Sequence, residues 1–171
     1  MKHNKQLLIL LIWAIFSSSS VVAATQDFLQ QVKIAASKQR GDIKNNKVIF
    51  FGPVTITQGS IKLNADQVEA VNQEQSNNSI LIATGKPATY SQTMENGTIA
   101  TASANSIRYD LAAKTLTMSG DAQLSQDESQ IKGEVITYNI ETQEIQAEGN
   151  GNNDSQVITI IQPQQLSQEK Q

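Results

Sequence analysis

Cysteine is absent from the 171-residue sequence, which excludes disulfides, thiolate metal ligands, a thiol nucleophile and an N-terminal lipidated cysteine. Histidine occurs once, at His3, and tryptophan once, at Trp13. Proline is scarce, and aromatic residues make up 5% of the chain, too few for an interior built on large rings. The apolar run at residues 7–16, LLILLIWAIF, is about half the roughly 20 residues that span a bilayer. It has the order of a secretory signal: Lys2 and Lys5 precede it, and Ser17 to Ser20 and Val21-Val22-Ala23-Ala24 follow. Cleavage after Ala24 is expected, so residues 1–24 are assigned to a cleaved signal peptide and the mature chain to the periplasm.

That cleavage removes His3 and Trp13 as well, and with the histidine goes the commonest general base and metal ligand. No catalytic residue, metal site or cofactor is expected. Eleven basic residues then face sixteen acidic ones, a net charge of −5. A chain of that sign has no basic stripe with which to displace counterions from nucleic acid.

Repetition is present instead. A shift of 68 residues places Gly52 on Gly120, Leu63 on Ile131, Ala65 on Gly133, Asp66 on Glu134 and Val68 on Ile136. Further copies of the leading pattern end in Gly85 and Gly149. Positions four and two before each glycine are Val48 and Phe50, Leu81 and Ala83, Leu116 and Met118, Ile145 and Ala147, all apolar. After the glycine come Val54 and Ile56 in one copy, and Ala122 and Leu124 in another. Between them lie Thr55, Thr57, Thr117, Ser119, Gln123 and Ser125, a period of two that marks strands with one buried face. Ile49 and Phe51 break the wet face. Each glycine sits within the pattern, which predicts a bulge where the strand turns a corner. Tyr90 falls one place late after Gly85, a register slip.

Turns are expected at Asn45-Asn46, Asn77-Asn78, Asn96-Gly97 and Asp127-Glu128. Helical periodicity is nearly absent, leaving room for one short helix near the mature start. Residues 25–161 therefore read as one all-β domain of short antiparallel strands built from repeats, ending in a strand at Val157 to Ile161. Residues 162–171, rich in glutamine, read as a disordered tail.

Asp66 and Glu134 occupy equivalent repeat positions and could be taken for a catalytic carboxylate pair, but the third copy has Asn105 there. A place that accepts Asp, Glu or Asn reads as a turn or backbone cap. From pattern alone the apolar face is an ordinary closed core. The small residues Ala83, Ala88, Ala122 and Ala147 on it leave room for an apolar groove that would suit acyl chains.

The segment Phe51-Gly52-Pro53-Val54-Thr55-Ile56-Thr57-Gln58-Gly59-Ser60-Ile61-Lys62-Leu63-Asn64-Ala65-Asp66 closely resembles the core segment of the OstA-like family of lipopolysaccharide-transport proteins. Gly85-Lys86-Pro87-Ala88-Thr89-Tyr90, Ala104-Asn105-Ser106-Ile107-Arg108-Tyr109 and Ile131-Lys132-Gly133-Glu134 follow in the family's order, and the resemblance runs from about Val32 to Leu166. It implies a β-jelly roll whose hydrophobic groove binds the acyl chains of lipopolysaccharide and passes them between the membranes for outer-membrane assembly. The implied partners are an LptC-like inner-membrane protein, an LptD-like outer-membrane protein and further copies of the chain joined head to tail.

The lipid-facing family positions fall on Val32, Ile34, Tyr90, Tyr109 and Leu111. Periodicity adds Val48, Phe50, Val54, Ile56, Leu116, Met118, Leu124, Ile131 and Ile136. The chain departs from the family pattern at Ala36-Ser37, at Gly41 in place of an apolar residue, and after Gly149. An anchored LptC-like component of the same system, and a structural periplasmic β-repeat protein without a ligand, remain open as alternatives.

Overall fold

A computed structural model describes residues 24–73, 78–151 and 156–161. The expected tail and all of the expected signal peptide except Ala24 lie outside the described residues. So do Asn77 of one expected turn and the end of the loop after Gly149.

Among the described residues a short 3-10 helix, η1 (Ala24–Leu29), leads into strands β1 (Lys33–Ala35) and β2 (Lys38–Asp42). A second 3-10 turn, η2 (Ile43–Asn45), then precedes β3 (Lys47–Gln58), β4 (Ile61–Gln73), β5 (Asn78–Thr93), β6 (Ile99–Asp110), β7 (Thr115–Gln126), β8 (Ser129–Asn139), β9 (Glu144–Glu148) and β10 (Ile158–Ile160). All pairings are antiparallel and consecutive from β3 to β9; β1 and β2 both pair with β3, and β9 and β10 both pair with β8. This meander arises from short turns. Asn46, Asp127, Lys114 and Gln143 take left-handed backbone conformations at four of them, and Gly97 does so in the β5–β6 hairpin. Asn96 fixes that hairpin by accepting from both the backbone N–H and the hydroxyl of Thr98.

The sheet is continuous in hydrogen bonding but broken in register along one line. The breaks fall between Phe51 and Val54, Asn64 and Gln67, Thr84 and Ala88, Ser103 and Ser106, and Ser119 and Ala122. They lie opposite one another on successive strands, so every long strand turns at the same crease. The expected glycine bulges are here. Gly52 and Gly120 have φ of +86° and +76°, and a Cβ on Gly120 would lie 2.8 Å from Asn105 Nδ2. In β4, β6 and β8 the crease appears as a switch of parity. The inward positions change from Ile61, Leu63 and Ala65 to Val68, from Ala102 and Ala104 to Ile107 and Tyr109, and, facing β7, from the partly buried Ile131 to Ile136 and Tyr138. The slip read at Tyr90 is the same event in β5, where Leu81 and Ala83 give way to Ala88 and Tyr90. The fourth glycine departs from expectation: β9 ends at Glu148, so Gly149 lies beyond the strand and bends nothing.

The crease divides the sheet into two leaves. One contains residues 47–51, 67–73, 78–84, 106–110, 115–119 and 135–139 with β2 and β9 at its edges. The other contains residues 54–58, 61–65, 88–93, 99–104, 122–126 and 129–133, edged by β1 and β10. Their apolar faces form one buried cluster, from Val54 and Ile56 on the second leaf to Leu116, Met118 and Ile136 on the first. Burying each of these side chains contributes roughly 1.5–3 kcal/mol relative to exposure. Ile49 and Phe51, which break the wet face, are half-buried; the Arg40 guanidinium lies 5.8 Å from the Phe51 ring centroid and Lys47 pairs with Glu69 at 2.7 Å.

Candidate functional site

All fourteen positions singled out in the sequence are buried or half-buried. Val48, Phe50, Val54, Ile56, Tyr90, Tyr109, Leu116, Met118, Leu124, Ile131 and Ile136 share the inner face of the crease through their cross-strand pairings, and Ile34 joins them opposite Ile56. Val32 and Leu111 pack against the same cluster. The middle and the ends differ in depth. Val54, Ile56, Tyr90, Tyr109, Leu116, Met118, Leu124 and Ile136 are wholly buried, whereas Val32, Ile34, Val48, Phe50, Leu111 and Ile131 are only partly covered.

The open groove expected from the small residues is therefore closed in its middle. Ala83, Ala88 and Ala122 are buried in one cluster with Tyr90, Tyr109 and Met118, and Ala147 is partly buried against it. Space remains at the ends. At the N-terminal edge β2 opposes Gly41 to Val48 and Gln39 to Phe50, and a Cβ on Gly41 would meet no atom within 4 Å. At the C-terminal edge a cavity of about 270 Å³ is lined by Leu124, Gln126, Asp127, Ser129, Ile131 and Ile145.

Opposite the crease the leaves are strapped together by η1, a feature for which the sequence predicted only a short helix. Asp27 of η1 accepts from the Ser60 backbone N–H at 2.7 Å, from the Ser60 hydroxyl at 2.6 Å and from Gln92 Nε2 at 3.3 Å, all on the second leaf. Gln58 Nε2 donates to the carbonyls of Phe28 and Gln30. From the first leaf Lys114 Nζ sits 5.1 Å from the Phe28 ring centroid and is ion-paired with Glu141. Tyr109, also on the first leaf, donates to Gln58 Oε1 at 3.1 Å across the interior, and Tyr90 donates to Gln92 Oε1 at 2.8 Å. Sequence reasoning missed Asp27, Gln58 and Gln92. The available signal was parity, because Gln58 continues Val54-Ile56 and Gln92 continues Ala88-Tyr90 on the buried face.

Burial pushes the Tyr109 phenol up to about 12, with the nearby Asp27 carboxylate adding to the effect. Burial raises Tyr90 further, with smaller contributions from Tyr109, Tyr138 and Asp27. The tyrosines are thus neutral donors at ordinary pH. Asp66, Asn105 and Glu134, by contrast, all lie exposed at the crease. Strands β4 and β8 are four spacings apart, roughly 19 Å along a sheet with ~4.8 Å between strands. A carboxylate pair needs closer approach than that.

The family model for the LptA/(LptD N-terminal domain) LPS transport protein matches residues 33–144. The chain belongs to this LptA/LptD N-terminal domain family. It is 35% identical over 172 residues to the lipopolysaccharide export system protein LptA of Haemophilus influenzae, an alignment covering 99% of each chain. With the protein of the same name from Escherichia coli K12 it shares 34% over 168 residues, 96% of this chain and 90% of that one. The crystal structure of LptH, the LptA-homologous periplasmic component of the lipopolysaccharide transport device of Pseudomonas aeruginosa, superposes with a TM-score of 0.73 at 23% identity. It covers 81% of this chain and 99% of LptH, and so shows the fold. The folded sheet described above is thus the family's architecture, as the sequence resemblance implied. Among the described residues no helix is long and apolar enough to cross a membrane.

Proposed function

We propose that this protein is a non-enzymatic, periplasmic component of lipopolysaccharide export that holds the acyl chains of lipopolysaccharide between its two leaves. The observation that carries this reading, beside family membership, is the single apolar cluster shared by the leaves, from Ile34 and Phe50 at one end to Ile131 and Ile136 at the other. The fourteen inner positions are its contacts. Because the middle of the interior is filled, acyl chains gain access only if the leaves part along the edge that η1 straps.

Among the described residues both ends of the folded sheet present free strand edges, β1 and β2 at one and β9 and β10 at the other. Free edges pair readily with further strands. We read them as the surfaces that join an LptC-like inner-membrane protein, an LptD-like outer-membrane protein or another copy head to tail, extending the apolar face. Residues 1–24 are read as the cleaved export signal, residues 25–161 as the folded domain and residues 162–171 as its tail.

Photo-crosslinking tests the reading. A probe at Tyr109, on the inner face, is expected to form adducts with lipopolysaccharide; a probe at Thr117, whose side chain points to the outer face beside Arg108 and Thr137, is expected to form none. Absence of adducts at both would leave a ligand-free structural repeat protein as the better reading.

A further inference from the structure

Among the described residues the buried side-chain polar groups inside the folded sheet are satisfied with one exception. Tyr90, Gln92, Gln58, Tyr109 and Asp27 are linked by hydrogen bonds from η1 to both leaves. Tyr138 is only 2% exposed, yet its hydroxyl is the one buried side-chain polar atom without a partner among the described residues. Its place is fixed by β8, where it stands between Leu116 of β7 and Ile145 of β9, on the same inner face as Ile136. A buried hydroxyl left unpaired is destabilising, and phenylalanine would fill the same space without that cost. A tyrosine so placed acts most economically as a donor to a group that arrives from outside.

We propose that Tyr138 Oη donates a hydrogen bond to a carbonyl or hydroxyl oxygen at the linkage between an acyl chain and its head group. This rests on the reading of the interior as an acyl-chain site and adds to it a polar anchor. Burial raises the Tyr138 phenol above its ordinary range, so it stays a donor through the physiological range. The apolar neighbours Leu116 and Ile145 would take the adjoining methylenes once the leaves part, and Ile145 also lines the cavity at the C-terminal end. An anchor of this kind resists free sliding of a chain, because it is the interior hydroxyl not already engaged with the protein, and it fixes how deep the linkage sits.

The test compares wild type, Tyr138→Phe and Tyr109→Phe in binding to lipopolysaccharide, to a short-chain diacyl phospholipid and to a long-chain alkyltrimethylammonium that has no hydrogen-bonding group. Tyr138→Phe is expected to weaken lipopolysaccharide binding by about 2- to 10-fold, the span of one net hydrogen bond, to leave alkyltrimethylammonium binding unchanged, and to melt no lower than wild type. Equal weakening for the phospholipid makes the acyl carbonyl the acceptor; weakening for lipopolysaccharide alone makes it a group the phospholipid lacks. Tyr109→Phe breaks an existing bond to Gln58 and is expected to do the reverse, lowering the melting temperature without discriminating among ligands. Unchanged affinity of Tyr138→Phe for lipopolysaccharide that wild type binds would overturn the inference alone. A wild type that binds no ligand would overturn the underlying reading as well.

Discussion

Ile136 and Ile145 carry the same side chain on the same inner face of paired strands, two positions apart in register, yet the first is fully buried and the second 43% exposed. Ile136 has neighbouring strands on both sides, Met118 on β7 and Ala147 on β9, with the second leaf above it. Ile145 lies on β9, where the first leaf ends. The middle of the folded sheet is therefore a finished core and its C-terminal end an unfinished one, although the alternation that builds both is identical. Apolar alternation determines which way a side chain points; the number of strands beyond it determines whether it is covered.

This contrast can be broken by truncating side chains at each place. Leu116→Ala, in the closed middle, is expected to cost about 2–5 kcal/mol in urea unfolding, whereas Ile145→Ala should cost under about 1 kcal/mol because little buried volume is lost. Similar losses at both sites would mean that the end is as tightly packed as the middle. Asp27→Ala tests the strap: it removes three hydrogen bonds and leaves the Ser60 N–H in need of a new partner, for an expected loss of about 1–3 kcal/mol and faster amide exchange around Ser60 and Gln92. At the open N-terminal edge Gly41→Val meets no atom, adds a strand-favouring side chain beside Val48, and should raise stability by up to about 1 kcal/mol.

The tyrosines give the closed middle a pH signature. Their phenols are raised above the unfolded value near 10, so unfolding releases protons once the pH exceeds it. Stability is then fully present below about pH 10 and is lost as the pH climbs toward the folded values, about 12 for Tyr109. Tyrosinate absorbance should therefore appear in a steep step that coincides with unfolding. A gradual titration near pH 10 with the fold intact would show the interior to be wet.

Much of this was legible in the sequence because strand physics leaves plain marks. The period of two located the inner face, Gly52 and Gly120 marked the crease, and the late Tyr90 marked its passage through β5. The crease in β4 had no such mark, since the parity switch around Asp66 and Gln67 needs neither glycine nor proline. The strap was hidden for a different reason. Asp27, Gln58 and Gln92 are residue types expected in water, and only the pairing of η1 against the strand tips makes them interior. The closed middle agrees with the reading from pattern alone, an ordinary core; the groove inferred from the small residues failed because Ala83, Ala88 and Ala122 are buried within the one cluster.

The central claim is that the leaves part to admit acyl chains. The chain has no cysteine, so spin labels on Glu95→Cys and Ala113→Cys, at exposed tips of the second and first leaves on either side of η1, report one distance without interference. That distance should lengthen by several ångströms, about the width of an acyl chain at van der Waals contact, when lipopolysaccharide is added. A distance that stays unchanged while lipopolysaccharide is demonstrably bound would contradict the account.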